Sequence, residues 1–426
     1  MMDNRTFILK GNFCYTPSAD TLVTRENSYL ICEDGISRGI FPEIPEKYKD
    51  LPLMDCRDQV IIPGLVDLHL HAPQFAFRSV GMDMELLEWL EQVAFPQEAR
   101  YQDPEYARTA YSIFAQAMKK SPTTRASMFA TLHPETTILL MELMEETGLK
   151  TYVGKVNMDR NSPDYLREKT PLEAEKDTRN WVENTLHKYR NVRPILTPRF
   201  TPSCTDDLMK RLSQIQKDYQ LPLQSHLSEN LGEIEWVKEL CPNTRFYGEA
   251  YAQFDLFGLD CPTIMAHCVH SSPEEIALMK ENGVYVAHCP QSNTNLASGI
   301  APVRKYLDAG LSVGLGSDIA GGYSECLFRA MAEAIQVSKL RWRLVDDSLQ
   351  PLNLTEVFYM ATKGGGSFFG KTGSFEEGYE LDAVILNDST LPTPLSFPLK
   401  ERLERLVYMG DDRNVSGKFV SGTQIF

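Results

Sequence analysis

From Val60 onward the chain repeats one texture: a short β-prone run, then an amphipathic stretch with helical spacing. The β-prone runs are Val60 to His71, Thr124 to Leu132, Thr151 to Asn157, Val192 to Phe200, Pro222 to Leu227, Thr263 to Cys268, Val284 to Cys289 and Leu311 to Ser317. Between and after them lie Glu85 to Lys119, Glu135 to Thr147, Leu172 to Tyr189, Asp206 to Tyr219, Pro273 to Asn282 and Glu325 to Leu340. Strand and helix in alternation predict a parallel sheet of the α/β class. Eight units spread over roughly 280 residues match a (β/α)₈ TIM-like barrel. A doubly wound sheet is the competing arrangement, but it needs a glycine-rich phosphate turn after the first strand, and HAPQFA is not one.

The ends of the chain read differently. Residues 1–60 hold short β-type runs, Thr6 to Lys10, Tyr29 to Cys32 and Ser37 to Phe41, broken by Gly, Pro and Asp. Past about residue 373 the helical texture stops, and GSFEEGYELDAVILN and KFVSGTQIF return to strands and turns. The expectation is a small β-sandwich subdomain built from residues 1–60 and 373–426, with the barrel of residues 61–372 inserted between them. KGGGSFFG, residues 363–370, lacks the Lys-Ser/Thr that a phosphate loop carries after its last glycine, and reads as a helix-to-loop turn.

Composition narrows the function. A formal net charge of -15 leaves no basic footprint for nucleic acid and favours a small neutral or cationic substrate. Nine cysteines are scattered singly, with no CxxC, which suits reduced thiols and neither a disulfide framework nor a zinc ribbon. MMDNRTFILKGNF shows no signal peptide and no apolar run is long enough for a membrane span, so the expected location is the cytoplasm.

In a barrel of this kind the chemistry sits at the C-terminal ends of the strands. His69 and His71 end the first run, Arg199 and Phe200 the fourth, His226 the fifth, His267 the sixth, His288 the seventh, and Asp318 follows the eighth. His69 and His71 are two apart on a strand and share a face, so one segment can offer two imidazoles to one ion. A bare HxH is as readily a pair of ordinary core histidines; the other strand ends change the weight. His69, His71, His226 and Asp318 form a borderline-hard set suited to Zn²⁺ or Fe²⁺. Asp318 taken alone is also a normal turn or cap residue before AGG. In SHLSE, Glu229 sits three residues past His226 where strand becomes helix, placing a carboxylate near the same substrate as a proton shuttle, or merely in a helix first turn.

Asp67 reads as structural, His270 as a surface or capping histidine, and His133 and His187 carry no role. The HPE at 133–135 matches half of a nucleoside-deaminase zinc motif, but no PCxxC accompanies it. Lys155 falls on the third run, not the fourth where a metal-bridging carboxylated lysine would sit, which favours one metal ion over two.

PGLVDLHLHAPQ, SHLSE, MAHCVH and GLGSDIAGG, in this order, resemble the amidohydrolase superfamily, specifically its mononuclear deaminase branch. HAPQ, PRF, AHCPQSN and GSDIAGGYS sharpen the likeness. The resemblance covers nearly the whole chain. It implies one zinc held by His69, His71, His226 and Asp318, and Glu229 and His267 around the attacking water. It also implies that Gln74, Arg199 and Phe200 grip a purine, within reach of His226, Glu229 and Asp318. The activity it implies is hydrolytic deamination of guanine to xanthine and ammonia by a homodimer. Ser317 stands where relatives often have Thr, and Gln291 where Asn is more usual. The alternatives are an aminohydrolase for adenine-type, pterin or triazine rings, or a non-enzymatic assembly protein on a dihydropyrimidinase-like barrel.

Overall fold

A computed structural model describes residues 5–426 of the chain. Eight parallel strands run in the order Leu223–Leu227, Thr263–His267, Tyr285–His288, Ser312–Leu315, Leu65–His71, Thr123–Phe129, Lys150–Gly154 and Val192–Pro194. A parallel bridge from Leu196 to Leu223 joins the last strand to the first of this order and closes the barrel. The closure is hydrogen-bonded, Leu196 N to Pro222 O at 2.9 Å and Gln224 N to Leu196 O at 3.0 Å. Val66, Leu68, Ile195, Ile264, Ala266 and Ala287 fill the interior together with Phe368. Phe368 comes from the KGGGSFFG turn, so that glycine-rich segment serves packing.

A second sheet has seven strands in the order Thr423–Gln424, Val415–Val420, Ala383–Leu386, Leu53–Pro63, Phe7–Ser18, Thr21–Glu33 and Ile36–Phe41. Ile385 pairs with Ile61 and Val384 with Ile62, so strands from the two ends of the chain lie side by side. The run expected as one barrel strand from Val60 therefore divides: Val60 to Pro63 belong to this sheet, and Leu65 starts the barrel. Gly64 sits at the break, and the close packing there admits only glycine, since a Cβ would lie 2.0 Å from Thr124 Oγ1.

Two helical expectations also change. Glu85 to Lys119 is not one helix but Leu86–Trp89, a wide π turn at Leu90–Ala94, then Phe95–Ala99 and Pro104–Lys120. Pro96 supplies no backbone N–H for a regular turn, which accounts for the wide one before it. The tail expected to hold strands only also carries the helix Leu399–Met409, burying Leu399, Leu403, Leu406 and Val407 on one face. Among the described residues no helix is long and apolar enough to cross a membrane.

A buried ion cluster ties the barrel to the seven-stranded sheet. Arg125, on the second barrel strand and 2% exposed, donates to Asp382 at 2.6 and 3.1 Å and to Glu380 at 2.7 Å, while Lys150 reaches Glu380 at 2.7 Å. Arg125→Met would strand the buried Asp382 carboxylate, and urea unfolding should show a loss of about 3–5 kcal/mol. Burial works to raise the Glu380 pKa, but Arg125 and Lys150 outweigh it and hold it at about 2. A depressed carboxyl stabilises the fold above its ordinary pKa. This contribution should therefore fade as pH falls from the usual glutamate range toward 2.

Candidate active site

The strand ends converge on one buried cluster. Register slips between Asp67 and Leu70 as the first barrel strand pairs with the second. His69 and His71 then stand with ring centroids 5.1 Å apart. His69 Nε2 lies 3.2 Å and His71 Nε2 3.6 Å from Asp318 Oδ1, and His71 Nε2 is 3.2 Å from His226 Nε2. His267 Nε2 is 3.7 Å from Asp318 Oδ2 and 3.4 Å from Glu229 Oε2. Ser228, His267, Cys268 and Asp318 all have positive φ, between 45° and 72°. Such left-handed backbone at non-glycine residues is costly and marks where these strand ends are bent toward the cluster.

The donor set fits a cation. His226 Nδ1 donates to the Arg199 carbonyl at 2.6 Å, which leaves the Nε2 lone pair facing His71. His69 Nε2 and His267 Nε2 are buried without any hydrogen-bond partner. Burial pushes the pKa of His69, His71 and His226 down, so the imidazoles are neutral, the form that ligates metal. Burial also opposes charge on Asp318, yet positive charge on His69 and His267 would hold its carboxyl well below the ordinary range. A carboxylate that needs positive charge, set among imidazoles that burial keeps neutral, is the environment a divalent cation completes. Cys289 also lies near His267 and Asp318, but burial pushes its thiol well up and keeps it protonated.

Glu229 is buried beside this cluster and accepts from Ser298 Oγ at 3.2 Å. Burial and the charge of Asp318 push its pKa well above the ordinary carboxyl value. The turn that carries it is held by Glu233, whose Oε2 accepts from Glu229 N at 3.1 Å and whose Oε1 takes the Tyr247 hydroxyl at 2.8 Å. Asn230 and Glu233 form a capping box, so the N-x-x-E spacing in the sequence was the signal for this support. Burial and Glu229 raise the Glu233 pKa to about 7.

In the same pocket, Arg199 and Gln74 meet a residue that carries no signal in the sequence. Glu98 accepts Arg199 Nη1 at 2.6 Å and Nη2 at 3.0 Å, and Gln74 Nε2 at 2.7 Å. Phe200 lines the same pocket and stands edge-on to Trp236, with centroids 6.4 Å apart. Leu86, Trp89 and Leu90, from the helical segment after the first barrel strand, also line it. No sequence signal distinguishes these three from core residues.

The remaining candidates fall elsewhere. The Lys155 amine is held by Glu168 and the Val156 carbonyl, so it bridges no metal. Asp67 accepts from Ser317 N at 3.0 Å and His69 N at 3.2 Å, a structural use. Gln291 Oε1 accepts from Tyr323 N and Ser324 N and braces the loop after Asp318. His270 Nε2 lies 2.7 Å from the Ser298 carbonyl. His288 is buried, and burial pushes its pKa to about 3.

The amidohydrolase family model matches residues 60–425. The guanine deaminase of Dictyostelium discoideum is 39% identical over 443 residues, 98% of each chain. A crystal structure of guanine deaminase from C. acetobutylicum with guanine in its active site superposes with a TM-score of 0.96 at 48% identity, covering 99% of this chain and 100% of that one. The E. coli guanine deaminase structure gives a TM-score of 0.88 at 30% identity, covering 99% of each. A closed parallel barrel with four histidines and an aspartate gathered at its strand ends, matched along nearly its whole length by these relatives, leaves one assignment: the chain belongs to the amidohydrolase family.

Proposed function

We propose that this enzyme hydrolyses guanine to xanthine and ammonia, using one zinc ion per chain. The observation that carries the reading is the pocket itself, which a candidate cation cluster and the Arg199 and Gln74 donors line together. A 48% identical structure that holds guanine supports it.

Zinc held by His69, His71, His226 and Asp318 would supply Lewis acidity that makes hydroxide available near neutral pH. The rest falls to side chains. Asp318, kept anionic, takes the proton of the attacking water. Glu229, kept protonated by burial, donates to a ring nitrogen as oxygen adds at C2; it then takes the proton of the added hydroxyl and passes it to the departing amine, and the proton held by Asp318 restores it. The C2–N bond breaks, ammonia leaves, and xanthine remains. His267 donates Nδ1–H to Asn293 Oδ1 at 2.9 Å, which fixes the ring with Nε2 toward the attacking oxygen. Arg199 donates to the 6-oxo group, and Phe200 closes the pocket against the ring.

A purine with an amine at C6 would place donor against donor, and a buried unpaired polar group costs about 1–3 kcal/mol. Guanine should therefore be preferred to adenine. Ammonia release and the ultraviolet change on adding guanine, adenine and cytosine to zinc-loaded protein test this directly. Chelator-sensitive turnover of guanine alone is expected; turnover of a triazine or pterin with silence on guanine would reassign the substrate. The same reading takes the enzyme as a cytoplasmic homodimer, which sedimentation and cell fractionation check.

A further inference from the structure

Glu98 lies on the short helix Phe95–Ala99, is 1% exposed, and does not line the pocket. It nonetheless binds two residues that do. One carboxylate takes two N–H groups of Arg199, from the fourth barrel strand, and one of Gln74, from the turn after the first. The other side of the Gln74 amide is fixed as well, since its Oε1 accepts from Ala320 N at 2.9 Å. Turning the amide over would set its oxygen against the Glu98 carboxylate and its NH₂ against the Ala320 N–H. The orientation is thus determined by its partners: Oε1 is turned to the Ala320 N–H, and Nε2 keeps its second N–H for a ligand.

Arg199 is constrained similarly. Its guanidinium is bidentate to Glu98 and lies 5.0 Å from the Phe95 ring, leaving its remaining N–H groups for the pocket. With the Gln74 oxygen turned to Ala320 and the Glu98 carboxylate engaged by both side chains, what this pair directs to a ligand is N–H. It matches the carbonyl edge of a 6-oxo purine and rejects a 6-amine. A glutamine free to flip would accept that amine and erase the distinction. Glu98 also compensates the charge of Arg199, so the wall reads hydrogen-bond polarity in a neutral ring.

We propose that Glu98 is a positioning residue that locks Gln74 and Arg199 as donors and thereby sets the preference for 6-oxo over 6-amino purines. This rests on the purine reading of the same pocket.

The test compares hypoxanthine and adenine, which lack the leaving amine and differ at C6, as competitive inhibitors of guanine turnover. Wild type should bind hypoxanthine more tightly by at least about tenfold, the scale set by leaving one buried polar group unpaired. In Glu98→Gln the ratio of the two inhibition constants should fall about tenfold and KM for guanine should rise about tenfold, with kcat and zinc content little changed. Glu98→Asp keeps the charge beside Arg199 but is too short to hold both partners. It should fold even where Glu98→Gln does not, and shift the ratio in the same direction.

Parallel weakening of both inhibitors, or an unchanged ratio in the variants, would overturn the proposal, because a merely structural role moves both constants together. If wild type is silent on guanine, the substrate assignment fails separately. The same two ratios are then read from direct binding of hypoxanthine and adenine by calorimetry, and decide the role of Glu98 on their own.

Discussion

Glu229→Gln should keep a full complement of metal and lose guanine turnover by at least about 10³-fold, the scale of a positioned proton donor. The amide is nearly isosteric and can still accept from Ser298 Oγ, so the pocket keeps its shape. What it cannot do is give up a proton to the ring and take part in a second transfer to the amine. The closest approach of Glu229 to the cluster is 3.4 Å, to His267 Nε2, and it is absent from the groups whose ligand atoms gather. Zinc content should therefore be unchanged. Stability separates this loss from damage to the fold. A raised carboxyl pKa means that the native state holds its proton longer than the unfolded chain, so metal-free wild type loses stability as pH rises above the ordinary glutamate range. The variant has no such group. Its thermal midpoint at neutral pH, without metal, should be equal to or above that of wild type while activity is nearly gone. Full activity would remove Glu229 from the mechanism; a lowered midpoint together with lost zinc would make its role structural.

The parts of this site that were legible in the sequence are those set by local periodicity. Two residues apart on a strand is one face, so His69 and His71 were readable as a pair, and the ends of successive strands share one rim of a barrel, which brought His226, His267 and Asp318 into view. Glu98 was not readable, because its importance lies in contacts with residues 24 positions before it and 101 after it, neither of which leaves a spacing. The division at Gly64 was hidden for a similar reason. Val60 to His71 is one β-prone run by composition, and only the pairing, of Val60 to Pro63 with residues 383–386 and of Leu65 with Thr123, shows that the chain changes sheets there. Leu86, Trp89 and Leu90 look like any buried helix face, and only the fold shows that the face they share lines the pocket. Glu233 could have been found: the capping-box spacing after SHLSE announces a carboxylate folded back on the Glu229 turn.

His226→Ala should lose metal outright. His226 is the proposed ligand whose aim is best defined, since its Nδ1–H is committed to the Arg199 carbonyl and its Nε2 faces the cluster. Removing a partner that only orients a metal-bound histidine already costs about 10–100-fold in affinity, and removing the imidazole itself should exceed that. Metal analysis after dialysis against a weak chelator should find zinc in wild type and almost none in the variant. Stability should follow the metal. Zinc at a hundred times its dissociation constant stabilises wild type by about 2.7 kcal/mol, and that increment should vanish in the variant. Without metal the order is set by other terms. Burial already holds His226 neutral, and its loss relieves lone-pair repulsion with His71 Nε2, but it also leaves the Arg199 carbonyl with only the longer contact from Ser225 Oγ at 3.3 Å. The two proteins should therefore differ little when both are metal-free and widely when both are offered zinc. A stoichiometric zinc content in His226→Ala would move the cation to the His69, His71 and Asp318 side of the cluster alone, and would leave His226 as a wall of the purine pocket.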